Sequence, residues 1–88
     1  MIELLDFYAD WCGPFKVMVP VIEEVEKEVA GKMSVKKINV DTEAATAQKF
    51  GVLSIPTYIV LKDGQEVDRF IGAQPKDDFL NKIRSHLS

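Results

Sequence analysis

The sequence predicts an α/β fold, a four-stranded mixed sheet flanked by helices in the order βαβαββα. Three observations carry that expectation. An apolar strand-like run opens the chain and passes into an amphipathic helix, a second strand–helix unit follows, and Asp63-Gly64 joins two further strand-like runs ahead of a closing helix.

Ile2 to Ala9 (IELLDFYA) is apolar on both alternating faces except at Glu3 and Asp6. That is the pattern of a central strand covered on both sides. From about Gly13 to Ala30, Val17, Val21, Val25 and Val29 recur at i+4 steps with Met18 and Ile22 beside them, which predicts one apolar helical stripe. Glu23, Glu24, Glu26, Lys27 and Glu28 fill the opposite, solvated face, where Glu23 and Lys27 add a weak i,i+4 pair. Gly31 supplies the stop. Pro20 lies inside this helix, removes one backbone hydrogen bond, and is expected to bend the axis near Lys16.

Ser34 to Val40 (SVKKINV) is rich in β formers, and Asp41 or Thr42 is expected to cap a short helix across Glu43 to Phe50 that stops at Gly51. Thr57 to Lys62 (TYIVLK) and Glu66 to Ile71 (EVDRFI) flank Asp63-Gly64, the dipeptide of a tight hairpin, so these two strands are antiparallel neighbours. After Gly72, Pro75 suits the first turn of a helix in which Phe79, Leu80, Ile83 and Leu87 share an apolar face. No repeat, linker or low-complexity segment divides residues 1–88, which are expected to form a single domain.

A chain of 88 residues buries somewhat over ~60% of its unfolded surface, which leaves little stability to spare. With 47% hydrophobic and 28% charged residues it reads as globular and not disordered. A net charge of −3 with scattered Lys and Arg disfavours nucleic acid as a ligand. No window approaches the roughly 18 consecutive apolar residues of a membrane span. The N-terminal run lacks a basic leader and carries Glu3 and Asp6, unlike a signal peptide, so cytoplasmic residence is expected. One cysteine excludes an internal disulfide framework, and with the distant His86 it makes no protein-only metal site, so neither metal nor cofactor is expected. His86 itself reads as a solvated residue or a favourable charge at a helix C-terminus.

The chemistry gathers at Trp11-Cys12-Gly13-Pro14, where the first strand gives way to the first helix. Unpaired amides and the positive end of the helix dipole stabilise a thiolate there, which makes Cys12 a candidate nucleophile and not merely a small buried hydrophobe. Gly13 permits close backbone approach, and Pro14 costs no intrahelical donor in a first turn. Asp6, a carboxylate in a buried strand, is a candidate proton acceptor because desolvation raises its pKa.

These residues resemble the thioredoxin family. The matching stretches are DFYADWCGPFKVMVP (Asp6 to Pro20), KINVD (Lys37 to Asp41), IPT (Ile55 to Thr57), KDG (Lys62 to Gly64) and IGA (Ile71 to Ala73), which span nearly the whole chain in order. The resemblance implies a thioredoxin-like fold and thiol–disulfide exchange on disulfide-containing proteins or peptides, a function in electron transport and cell redox homeostasis. A thioredoxin reductase or glutathione is the implied electron donor. It further implies that Asp6, beside Lys37, assists deprotonation at the second cysteine position; an ion pair joining two strands is the alternative. The Ile55-Pro56 bond is implied to be cis and to lie beside Cys12, exposing the Ile55 backbone to an extended substrate strand. An ordinary strand-entry proline is the alternative there. Trp11 is implied to cover the site, and Gly72 and Ala73 to leave room in a substrate groove that also takes in Gly13 and Pro14.

Two departures matter. The family motif is W-C-G-P-C, and Phe15 stands at its last position. In the family mechanism the second cysteine displaces the reduced substrate from a mixed disulfide with the first; without it, release needs an external thiol such as glutathione or a second chain. A monothiol cycle or a trapped complex follows, with a redox-silent peptide-binding module as the alternative function and a bridging iron–sulfur dimer a distant third. The second departure is that members of the family usually begin with an additional strand and helix ahead of the segment matching Ile2. Ser34 to Val40 is then expected to be a sheet edge, which Lys36 and Lys37 discourage from pairing between molecules. A monomer is expected, with an edge-strand dimer as the alternative.

Overall fold

A computed structural model describes residues 1–87. Its elements follow the expected order: β1 (Ile2–Tyr8), α1 (Gly13–Glu28), β2 (Met33–Asn39), α2 (Ala44–Lys49), β3 (Thr57–Lys62), β4 (Gln65–Ile71) and α3 (Lys76–Ser85). The strands form one mixed sheet ordered β2-β1-β3-β4. β1 pairs parallel with β2 and antiparallel with β3, and β3 pairs antiparallel with β4. Among the described residues β2 stands at one end of the sheet.

The two faces of β1 serve two cores. Leu4 packs with Tyr58 and Val60 against Met18, Ile22 and Val25 of α1 and Phe79 and Ile83 of α3. Leu5 and Phe7 pack with Ile38, Ile59 and Leu61 against Ala47 of α2. Such burial on both faces is what the unbroken apolar run of β1 dictates. In the larger core Phe79 meets Tyr58 edge-on at 5.0 Å and Phe70 at 5.6 Å, the geometry that aromatic quadrupoles favour.

Several local expectations are corrected. Val17 is 65% exposed, and the buried line of α1 runs through Met18, Ile22 and Val25 to the C-cap Val29, with Val21 only partly buried. The helix does run on through Pro20, in keeping with its expected survival there. Neither Asp41 nor Thr42 caps α2. Its N-cap is Glu43, without a side-chain cap, and Asn39 organises the turn by accepting from the Asp41 amide at 2.9 Å and the Glu43 amide at 2.8 Å. Pro75 is the N-cap of α3 and not a residue of its first turn, and Leu87 lies beyond the helix, where it still packs against the core.

The hairpin takes the two-residue form. Asp63 and Gly64 have φ of +52° and +84° between paired Lys62 and Gln65, the double left-handed turn whose twist matches the flanking strands. A register shift follows, because Val60 opposes Asp68 while Leu61 opposes Glu66. It is a bulge at Val67. His86, the C-cap of α3, meets Asp68 of β4 at 2.8 Å, so it is tied to the sheet and not simply solvated.

Candidate functional site

β1 ends at Tyr8 and α1 begins at Gly13, so the intervening turn must reverse the chain while exposing the first amides of the helix. Cys12 is the N-cap, with extended backbone (φ −81°, ψ 114°), and its amide donates to Ala9 O at 3.1 Å. Pro14 falls at the first helical positions, where no hydrogen bond is lost. The cysteine is only 5% exposed. It is not sealed in the interior, because it lines an open, mostly apolar cavity of about 520 Å³ with Trp11, Gly13, Pro14 and Ile55.

The opposite wall is the segment entering β3. The Ile55-Pro56 peptide is cis, and the Cys12 thiol donates to Ile55 O at 3.6 Å. The Gly72 amide donates to Pro56 O at 2.8 Å, with Gly72 at φ +89°, a conformation that favours glycine. Gly72 thus backs the proline loop, while Pro56 is buried beneath it. Neither residue lines the cavity.

Trp11 is 69% exposed and fixed by a hydrogen bond from Nε1 to Asp41 Oδ2 at 3.0 Å. Its ring stands as a rim beside Cys12. Phe15, one turn into the helix, stacks on Tyr8 with centroids 4.6 Å apart.

Asp6 lies deeper, 1% exposed, with Oδ1 unpartnered. Burial pushes its pKa up to about 6; the Lys37 charge opposes the rise and Glu26 reinforces it. Asp6 and Lys37 are register partners on β1 and β2, yet Lys37 Nζ reaches Glu26 at 4.0 Å, and among the described residues no salt bridge joins it to Asp6. Across the sheet Asp6 opposes Tyr58, whose hydroxyl is likewise buried and unpartnered. Burial, and then the charges of Asp6 and Cys12, hold the Tyr58 hydroxyl protonated far above its usual range.

Sequence reasoning missed the rest of the cavity lining: Val40, Ala47, Val52, Leu53 and Ser54. No local pattern marks these positions as cavity lining, because the fold assembles them from just past the end of β2, from α2 and from the loop before β3. Among the described residues, no three His, Cys, Asp or Glu side chains gather where a metal could sit, and no helix is long and apolar enough to cross a membrane.

Comparison with known proteins places this geometry in context. The thioredoxin family model matches residues 2–85. A thioredoxin of Staphylococcus saprophyticus is 48% identical over 86 residues, covering 98% of this chain and 83% of the relative. A thioredoxin of Staphylococcus aureus is 46% identical with the same coverage. Among solved structures, a mutant thioredoxin from Halobacterium salinarum superimposes with a TM-score of 0.91 at 37% identity, over 99% of this chain and 75% of that one. The fold is thioredoxin-like.

Proposed function

Because the chain belongs to the thioredoxin family, we propose that it is a thiol–disulfide oxidoreductase of protein or peptide disulfides that works through the single thiol of Cys12. What carries this reading is the position of that sulfur. It belongs to the N-cap residue of α1, faces Ile55 O of the cis-proline loop at 3.6 Å, and opens onto an apolar cavity rimmed by Trp11. The adjoining apolar wall binds the chain that carries the disulfide.

In the forward step the Cys12 thiolate attacks one substrate sulfur, the substrate S–S bond breaks, and the departing thiolate takes up a proton. The stacked ring of Phe15 cannot displace the bound half. An external thiolate, glutathione or that of a second chain, attacks the substrate sulfur of the mixed disulfide, that S–S bond breaks, and Cys12 leaves as the thiolate. A second external thiol frees the substrate half, leaving the two external thiols joined as a disulfide. Asp6 serves as a buried proton acceptor beneath the site and Lys37 tunes it by charge alone; cytoplasmic residence and a monomeric state complete the proposal.

Incubation with a disulfide-linked peptide tests it. A covalent complex through Cys12 that reduced glutathione discharges supports the monothiol cycle. Reversible peptide binding without a covalent complex identifies a redox-silent binding module instead.

A further inference from the structure

Helix α2 ends in a Schellman turn. The Gly51 amide donates to Gln48 O and the Val52 amide to Ala47 O, each at 3.0 Å, with Gly51 at φ +65°. These bonds leave the Phe50 and Gly51 carbonyls to other donors. One side chain from across the sheet takes both: Arg69 Nη2 donates to Phe50 O at 2.6 Å and Nη1 to Gly51 O at 3.5 Å. The guanidinium is itself held, since Nε and Nη2 donate to the two Glu66 carboxylate oxygens at 2.9 and 2.8 Å. Register explains the reach. Arg69 opposes Ile59, so it stands on the sheet face that α2 covers, and the bulge at Val67 separates it from Glu66.

The clamped turn leads directly into Val52, Leu53, Ser54 and Ile55, which line the cavity beside Cys12. We propose that Arg69, braced by Glu66, is a positioning residue for disulfide exchange: it holds the Val52–Ile55 segment as the fixed wall along which an extended peptide disulfide is aligned with Cys12. The proposal rests on the reading of Cys12 as nucleophile and adds a residue that touches neither sulfur nor substrate. An extended substrate needs that wall, whereas a small disulfide reaches the sulfur without it. Loosening the wall leaves the reacting sulfur unchanged and makes aligned binding rarer.

Two measurements on the full chain test this: backbone amide exchange, and the concentration dependence of mixed-disulfide formation with a disulfide-linked peptide and with oxidised glutathione. In Arg69→Met the Gly51 and Val52 amides are expected to exchange about tenfold faster while β1 and β3 amides are unchanged. The peptide concentration giving half-maximal adduct rate rises about threefold to tenfold, and the rate with oxidised glutathione changes by less than about twofold. Arg69→Lys recovers part of the peptide effect, because an ammonium holds a carbonyl but not the whole fork, and Glu66→Gln gives an intermediate loss. Unchanged exchange at Gly51 and Val52, exchange raised equally across the core, or peptide and glutathione rates falling together overturns the proposal while leaving Cys12 its function. An unsubstituted protein that forms no adduct with either disulfide overturns both readings.

Discussion

Phe15 lies nearly flat against Tyr8, the ring planes 23° from parallel and the centroids 4.6 Å apart. The position where the family carries its second thiol is therefore filled by a packed aromatic pair. Phe15→Cys gives up that stacking, worth about 0.5–1.5 kcal/mol beyond area burial, together with the burial of the ring, and is expected to lower stability by at least that much. In exchange, it supplies a resolving thiol one turn from Cys12. Catalytic reduction of insulin by a chemical dithiol should rise well above that of the unsubstituted chain; equal activity in the two proteins means that more than Phe15 separates this chain from turnover.

Asp6 sets the pH dependence. Its pKa is pushed up to about 6, above the value near 3.9 of an unfolded chain. Between those values the folded state binds more protons than the unfolded one, so stability falls as pH rises through this window and levels off above it. The carboxyl accounts for a decline on the order of 2–3 kcal/mol. Asp6→Asn should flatten that decline and raise the denaturation midpoint at pH 8 relative to the parent. Urea titrations at pH 4.5 and pH 8 measure both; a parallel pH dependence in the two proteins contradicts the assignment.

The chain has one tryptophan, and it stands on the cavity rim. Its indole N–H is held by Asp41 at 3.0 Å. Asp41→Ala should shift the emission maximum and raise the peptide concentration needed for adduct formation, at a stability cost under about 1 kcal/mol because the pair is exposed. An unaltered spectrum would mean that the bond does not persist in solution.

Packing separates two positions of very different weight. Phe79 is fully buried and meets both Tyr58 and Phe70, so Phe79→Ala should cost about 3–5 kcal/mol, a large part of the stability of so small a domain. Val17→Ala, on the exposed face of α1, should fall within about 0.5 kcal/mol of the parent. Thermal melts of both variants check this, and a large loss at Val17 would return it to the buried stripe.

That contrast also marks where the sequence stops being informative. Strict i+4 spacing advances 400° per step and drifts around a helix, whereas Met18, Ile22, Val25 and Val29 alternate steps of four and three and stay over the core. The valines are the more conspicuous series, and their drift carries Val17 out to solvent. The strand–helix order, the hairpin at Asp63-Gly64, the junction at Cys12 and the burial of Asp6 are legible because each depends on local pattern or backbone chemistry. The Arg69 fork is not. It joins β4 to the end of α2 only after the sheet has formed and a bulge has set its register, and nothing within a few residues of Arg69 announces that. The Asn39 turn escapes for the opposite reason: Asp41 and Thr42 are equally plausible caps, and the geometry selects neither.

The central claim is that the Cys12 sulfur is open to attack a disulfide, and intact mass reads it most directly. After incubation with oxidised glutathione at neutral pH, the protein should gain one glutathionyl group, mapped to Cys12 and removed by a reducing agent, while Cys12→Ser gains none. A folded protein whose mass stays unchanged with excess disulfide contradicts the account.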